Sequence, residues 1–594
     1  MCGIVGYTGN TKAPEILFEE LKTLEYRGYD SAGLAIKNLG KTVVIKKKGR
    51  VEKLKNYIAN LNGNIGIGHT RWATHGKPTD KNSHPHSYGK ITLVHNGIIE
   101  NYKELKNELL KSGHVFTSQT DSEVIAHTLN DIYNKSNKDM ISSLRTISTL
   151  LVGTFALAII SEDDNENIYL ICRDSSLVIG KGEQENFIAS DARAFIKYTD
   201  KAIFMRNEEL AIVSKKAITL YDKNNNKIIP KIKVIENSYK DLQKGGHNHF
   251  MHKEIFESPI AMCQTINAIL NDDAEQKKIK SIFDDCKKII LVGCGTAYHA
   301  CLIGKYLFQT FLHKNVTAEL ASEFCYDNPI INEHTVVIAV SQSGETADTV
   351  EAVIYAKKLN ARTLCICNNA NSRITLKSDA VILTKAGSEL GVAATKTYLT
   401  QILIFYILTF LLKNNIVSQK LIEQLKDIPN IIEEMLLQES AVRKTAKKLY
   451  KSKVILYLGK NLDLTVAEEA SLKLKEISYI FSDAYAAGEL KHGTLALIDK
   501  KTTVIAIITQ NNVKEKTLNA LHEIKSRGGK IAILTQFEDL NFESDFLIKL
   551  PKQDDVLMPL VAIIPLQLFA YYVSVCKNCD PDKPRHLAKS VTVR

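Results

Sequence analysis

Three short apolar runs recur along this chain at an almost fixed interval. LVGCGT, from 291, is matched by YLGKNL from 457; VVIAVS, from 336, by TVIAIIT from 503; and LCIC, from 364, by IAIL from 531, at intervals of 166, 167 and 167 residues. Each run contains a short apolar strand-like segment, and long amphipathic stretches with a helical period separate them. Strands buried on both faces have that character, because crossover helices cover a parallel sheet on either side. Regular spacing over three strands implies that one α/β unit is present twice.

At 594 residues the chain exceeds what a single hydrophobic core sustains. Residues 1 to about 220 differ in style from the repeat. Short strand-like runs (SAGLAI, TVVIK, ITLVHNGII, TFALAII, NIYLIC, NFIAS) are punctuated by Gly and Asn-Gly, with helical segments expected only around 12–25 and 121–134. That pattern predicts an α+β domain with large sheets. KDLQKGGHNHFMHKEIFES, 240–258, is expected to link the two styles, giving domains over 1–240, 241–435 and 436–594.

The net charge of +11 is dispersed, and no helix-turn-helix, finger or RNA-binding signature accompanies it, so no nucleic-acid partner is expected. Eleven scattered cysteines point to a reducing compartment, and CKNC at 576–579 lacks the second pair that a zinc site requires. The start of the chain carries no basic-then-apolar leader, which predicts a cytoplasmic protein. VLMPLVAIIPLQLFAYYVSVC, 556–576, has the length of a membrane span, but Pro559, Pro565 and Gln567 interrupt it. It is expected to be a buried core helix, with no membrane partner.

The chain begins MCGIVGY. With Met1 removed, Cys2 would carry its own α-amino group, whose pKa near 8 suits it to take the thiol proton. One residue would then hold both a nucleophile and a base, an arrangement fit for acyl transfer through a thioester. EYRGYDSAG (25–33), GHTRWATHG (68–76), VHNGIIEN (94–101) and SQTDSE (118–123) each set Gly, Asn, Arg or Asp at the end of a strand-like run.

Together with MCGIVGY these segments resemble the glutaminase domain of class II glutamine amidotransferases. The resemblance implies an N-terminal-nucleophile αββα fold with Cys2 as nucleophile. It assigns the glutamine carboxylate to Arg71, which offers a bidentate fork, and the glutamine ammonium to Asp121. Asn96 and the Gly97 amide would hold the oxyanion, and Thr74 and His75 would line the pocket. Taken alone, Asn-Gly is a favoured hairpin turn. Ammonia released into water at neutral pH becomes unreactive ammonium, so a shielded route to an acceptor is expected, with Trp72, the sole tryptophan, as its gate.

In the repeated region SQSGET, 341–346, lies between the strand VVIAV and a helix, where hydroxyls, amides and the helix dipole favour an anion. No P-loop or dinucleotide glycine fingerprint is present. The second copy, TVIAIITQNN, lacks the hydroxyl cluster. In EEASLKLKEISYI (468–480) Lys473 and Glu476 share a helical face while Lys475 points elsewhere. AYAAGELKHGTLALI offers an apolar surround for His492, and RHLAKSVTVR ends the chain with Lys589.

SQSGET and GCGTAY (293–298) resemble the sugar isomerase (SIS) domain, implying two tandem, doubly wound parallel α/β domains. Sugar phosphate would bind Thr296, Ser341, Gln342, Ser343, Thr346 and Val392. With LKLKEISY, AYAAGELKHG and LAKSVTV, the whole resembles the amidotransferases that aminate and isomerise a ketose phosphate. That implies conversion of D-fructose 6-phosphate and L-glutamine to D-glucosamine 6-phosphate and L-glutamate by a homodimer needing no metal or organic cofactor. Lys589 would form a Schiff base, Glu476 would move the proton, His492 would assist ring opening and Lys473 would stabilise charge. A neutral Schiff-base lysine needs desolvation or cationic neighbours, so the tail is expected to be buried. Thr494 stands where proline is usual and Arg594 where an acidic residue is usual. Another class II amidotransferase, a sugar-phosphate-binding regulator and an uncoupled glutaminase are the competing readings.

Overall fold

A computed structural model describes residues 2–38, 40–235, 243–413 and 416–591. The chain forms two compact units, Met1–Gln243 together with Ala588–Val593, and Lys244–Leu587. Arg594 lies outside the described residues.

In the first unit two antiparallel sheets, of eight and seven strands among the described residues, pack face to face. Gly3–Thr8 runs through the middle of the larger sheet, between Asn186–Ala189 and Ile65–Arg71. Its side chains alternate as the pleat demands. Ile4 enters the layer between the sheets with Ile67, Val94 and Ala156, whereas Val5 and Tyr7 meet the helix Ala13–Thr23 on the outer face. The second sheet repeats the rule: Val94 faces inward, and Leu93 packs under the helices Ser122–Lys135 and Met140–Leu150. The four layers are therefore helix, sheet, sheet, helix. Three helices exceed the expected pair: the single turn Lys55–Ile58, Tyr102–Lys111 and Met140–Leu150. The last is rich in Ser, Thr and Ile, weak helix formers, but the Asp139 side chain caps it by accepting from the amides of Ile141 and Ser142.

The second unit contains two parallel five-stranded sheets with one topology. Asn315–Leu320, Lys288–Gly293, Thr335–Ser341, Arg362–Cys367 and Ala380–Leu383 form one. Phe481–Ala486, Val454–Gly459, Thr503–Ile508, Lys530–Thr535 and Phe546–Lys549 form the other, in the same order. The repeat extends to single dihedrals. Gly295 (φ 54°, ψ −124°) precedes the helix Thr296–Leu312, and Asn461 (φ 62°, ψ −129°), 166 residues on, precedes Leu462–Ser478. Both helices end on a left-handed residue, His313 and Tyr479.

The stretch at 556–576 forms the helix Met558–Cys576, buried from Met558 to Ser574 against Leu462–Ser478 and Glu439–Leu449. The expected linker is structured in its second half, as the helix Phe250–Phe256; residues 236–242 lie outside the described ones.

Candidate active sites

Cys2 lies just ahead of the central strand of the first unit, and its sulfur accepts the backbone N–H of Trp72 at 3.2 Å. Its carbonyl is held from two sides, by Arg27 Nε at 3.1 Å and Asn96 Nδ2 at 3.0 Å. Antiparallel pairing of Gly3 with Thr70 brings the Arg71–Trp72 segment to this end of the strand. Asn96-Gly97 does not form a hairpin. It lies inside the strand Ile91–Ile99, with Asn96 opposite Ala156 and Gly97 opposite Phe155. Gly97 has φ 132°, and a Cβ there would lie 2.0 Å from the Thr154 carbonyl oxygen, so only glycine fits.

Arg71 is 3% exposed. One terminal nitrogen donates to the carbonyls of His75 and Gly76, while Nη1 is buried without a partner among the described residues. Burial draws its guanidinium below arginine's ordinary range, opposed by Cys2, Asp121 and Asp30. Asp121, also buried, accepts the Ile99 amide at 3.0 Å. Thr74 is exposed, His75 stands edge-on to Tyr102, and Trp72 packs edge-on against Tyr29 at 5.7 Å.

Sequence reading missed a cluster of four buried histidines behind Asn96. His69 stacks on His84 at 4.1 Å, with His86 and His95 beside them. His69 Nε2 meets two acceptors, the His95 carbonyl at 3.0 Å and Asn96 Oδ1 at 3.1 Å, so this nitrogen carries the proton. The Asn96 amide is thereby oriented with its nitrogen toward Cys2. Burial pushes His69 down to about 3 and lowers the other three, so the cluster is neutral at physiological pH. These histidines follow no period, and no local signal marked them.

In the second unit the turn 341–346 separates Thr335–Ser341 from the helix Ala347–Lys358. Ser341 Oγ accepts the Gly344 amide at 3.0 Å and lies 3.2 Å from Thr346 Oγ1; Ser343 Oγ accepts the Glu345 amide at 3.1 Å. Gly344 has φ 70°, and a Cβ there would meet Ser372 Oγ at 2.0 Å. Gln342 is half-buried, with its carbonyl bonded to the Asn368 amide. Val392, 9% exposed, donates its amide to the Asp582 carbonyl at 3.1 Å.

Thr296 opens its helix facing the equivalent helix of the other repeat. Lys473 Nζ donates to Thr296 Oγ1 at 2.9 Å and pairs with Glu476 at 2.7 Å and Glu469 at 3.4 Å. Glu469 also accepts from Thr296 Oγ1 at 3.1 Å and lies 2.7 Å from His299 Nδ1. Burial alone would pull Lys473 down, but Glu469 and Glu476 outweigh it and hold the ammonium above lysine's ordinary value. The i,i+4 spacing of Glu469 and Lys473 was a signal the sequence offered; His299 offered none.

Two expectations fail. His492 ends the 3₁₀ turn Glu489–His492, in which only Leu490 is buried, and its ring is exposed rather than set among apolar neighbours. The tail is not buried throughout: Lys589 is half-buried, Ser590 buried and Val591 exposed. Lys589 also groups with the first unit, whereas Glu476, Lys473 and Thr296 belong to the second.

A glutamine amidotransferase domain matches residues 53–252, and a SIS domain matches twice, over 282–411 and 448–577. The fold and its two polar centres therefore define a glutamine amidotransferase joined to a tandem sugar isomerase module. Over their whole lengths the chain and a relative from Caldanaerobacter subterraneus subsp. tengcongensis are 43% identical across 610 residues; for a relative from Thermococcus kodakarensis the figure is 44% across 609. Both relatives are named glutamine–fructose-6-phosphate aminotransferase (isomerizing), and this chain belongs to that family. The solved C-terminal domain of the glucosamine-fructose-6-phosphate aminotransferase from Francisella tularensis matches 58% of this chain and 99% of its own at 37% identity, with a TM-score of 0.55. The tagatose-6-phosphate ketose/aldose isomerase from Escherichia coli shares the fold at 20% identity, with a TM-score of 0.50, over 57% of this chain and 96% of its own.

Proposed function

We propose that this chain converts D-fructose 6-phosphate and L-glutamine to D-glucosamine 6-phosphate and L-glutamate, with the residue roles that follow. Once Met1 is removed, the Cys2 amine takes the thiol proton and the sulfur attacks the glutamine side-chain carbonyl. The proton passes to the leaving nitrogen, ammonia departs, and water hydrolyses the thioester to glutamate. Arg71 binds the substrate carboxylate through its unpaired Nη1, Asp121 binds the ammonium, and Thr74 and His75 line the pocket. The second Asn96 Nδ2 hydrogen and the Gly97 amide stabilise the oxyanion, and Trp72 gates ammonia release.

Sugar phosphate is held by Ser341, Gln342, Ser343, Thr346, Thr296 and Val392. Lys589 condenses with the C2 carbonyl, losing water, and ammonia then displaces the lysine. His492 assists ring opening, Glu476 carries the proton between C1 and C2, and Lys473 stabilises the charge that develops.

The observation that carries this reading is the held geometry of Cys2, its sulfur on the Trp72 amide and its carbonyl clamped by Arg27 and Asn96. Intact-mass and N-terminal analysis after reaction with a glutamine-analogue electrophile tests it, alongside an assay of glucosamine 6-phosphate. The adduct is expected on Cys2; an adduct elsewhere removes the assignment. Domains over 1–240, 241–435 and 436–594, a homodimer and a cytoplasmic location complete the reading, and sedimentation of active enzyme at monomer mass would remove the dimer.

A further inference from the structure

Asp582 lies in the second unit, seven residues before Lys589, and is 5% exposed. Its two carboxylate oxygens accept consecutive backbone amides at the start of the helix Phe250–Phe256, Oδ2 from Phe250 and Oδ1 from Met251, each at 2.8 Å. That helix provides no cap of its own, since His249 before it makes no side-chain capping bond. The backbone carbonyl of the same aspartate accepts the Val392 amide at 3.1 Å. One buried residue thus joins three separate stretches of chain: the end of the linker, the loop carrying Val392 and the base of the tail.

A second tie holds the tail three residues on. The Arg585 amide donates to Tyr479 Oη at 2.8 Å, and the Arg585 guanidinium sits 4.2 Å from the centre of the Tyr479 ring. Tyr479 is the left-handed residue that ends the helix bearing Lys473 and Glu476. The stretch 582–585 is thus held at a buried end by Asp582 and at an exposed end by Arg585, and these bonds set the direction in which the chain leaves toward Lys589.

We propose that Asp582 is a positioning residue for the sugar reaction, tying the base of the tail that leads to Lys589 to the Val392 loop and to the end of the linker. The inference rests on the proposed Schiff-base role of Lys589. Asparagine at 582 would keep the shape but offer only one acceptor oxygen, leaving one of two buried amides unpaired. Alanine would leave both unpaired.

The test uses full-length enzyme, with fructose 6-phosphate as probe and borohydride to reduce any imine, read by peptide mass. In wild type the reduced adduct is expected on Lys589. In Asp582→Asn its rate of formation should fall, and the KM for fructose 6-phosphate should rise, by about tenfold, with larger effects in Asp582→Ala. Sugar aminated per glutamine hydrolysed should fall in the same order. Asp272→Ala is the capping control, since Asp272 caps the helix Asp273–Ile282 through the Glu275 amide, from an exposed position that ties no distant stretch of chain; it should lower the thermal midpoint without moving that ratio.

Wild type trapped at a residue other than Lys589 would overturn the Schiff-base reading itself. If Lys589 is trapped in wild type, Asp582→Asn trapping at the wild-type rate with unchanged KM would overturn the role of Asp582 alone. Equal loss of amination and glutamine hydrolysis would do so too, marking a structural contribution only.

Discussion

The two repeats of the second unit share sheet order, helix length and even the dihedrals before their first helices, yet their polar groups stand at different places. In the first repeat they gather at the turn after the third strand, as Ser341, Ser343 and Thr346. The corresponding turn of the second repeat begins with Ile508, and its amides are taken by the chain's own carboxylates. Thr509 N donates to Asp463 at 2.9 Å and Asn511 N to Asp555 at 2.6 Å, while Gln536 Nε2 reaches the other Asp555 oxygen at 2.9 Å. Asp463 occupies the position of Ala297, 166 residues earlier. The first helices differ in the opposite sense: Glu469 and Lys473 stand where the first repeat has Ile303 and Leu307, both buried core. Duplication supplied one scaffold, and each copy kept only half of the polar chemistry.

The strongest way to break this comparison is at the helix seam. Lys473→Met preserves volume but leaves Glu469 and Glu476 without their ammonium in a buried setting. A loss of about 3–5 kcal/mol in stability is expected, with product formation abolished. A denaturant midpoint close to wild type would mean that the carboxylates do not depend on Lys473. Leu307→Met, at the equivalent place in the first repeat, should cost less than about 1.5 kcal/mol.

Next in size is the turn itself. Gly344→Ala forces a Cβ into Ser372 at a left-handed backbone position, at a cost of about 1–3 kcal/mol and a raised KM for fructose 6-phosphate. Asn511, its counterpart 167 residues on, is exposed; Asn511→Ala should stay within about 0.5 kcal/mol of wild type and leave KM alone. Equal effects of the two changes on KM would show that both turns bind substrate.

These centres were unequally legible in the sequence, for a physical reason. The cradle is local: strand, hydroxyl-rich turn and helix follow one another, so SQSGET announced itself. Lys473 and Glu476 were legible because a helix fixes which residues share a face. Glu469, His299 and Thr296 meet across about 170 residues, and only the packing of two equivalent helices brings them together. Asn96-Gly97 shows local chemistry overruled by pairing, since a dipeptide that favours turns is held in a strand by nine consecutive partners on Gly153–Ser161. His492 was misread because apolar neighbours in sequence do not enclose it: Leu490 turns inward while the imidazole turns out, and Leu497 is itself exposed. The alternating strands of the first unit were plain; the helix Met140–Leu150 was not, because a single cap outweighs weak propensity.

A smaller effect should sharpen the difference at Asp463. Burial, only partly offset by its bonds from Thr509 and reinforced by Asp555, pushes its carboxyl up to about 7. An unfolded aspartate releases its proton near 4, so the folded state alone keeps the proton between about 4 and 7. Stability from this group is therefore complete below pH 4 and is lost as pH rises toward 7. Asp463→Asn removes that slope. The gap between wild-type and variant thermal midpoints is expected to shift in favour of the variant from pH 5 to pH 8, and an unchanged gap would mean that Asp463 ionises as an ordinary carboxylate. Ala297, in the first repeat, contributes no such term.

The smallest effect concerns occupancy. If Asp463 and Asp555 hold the second cradle shut, wild type should bind one inorganic phosphate per chain, at the turn 341–346. Asp463→Ala restores the residue that the first repeat carries there, and with Asp555→Ala it frees the amides of Thr509 and Asn511. The double variant is expected to bind a second phosphate, more weakly than the first because Ile508 supplies no hydroxyl where Ser341 does. Phosphorus NMR titration of both proteins counts the sites directly. Two equivalents in wild type would end the distinction between the repeats. One equivalent in the double variant would assign closure to the missing hydroxyls rather than to the carboxylates, because the freed amides and the helix dipole would then be insufficient to hold an anion without them.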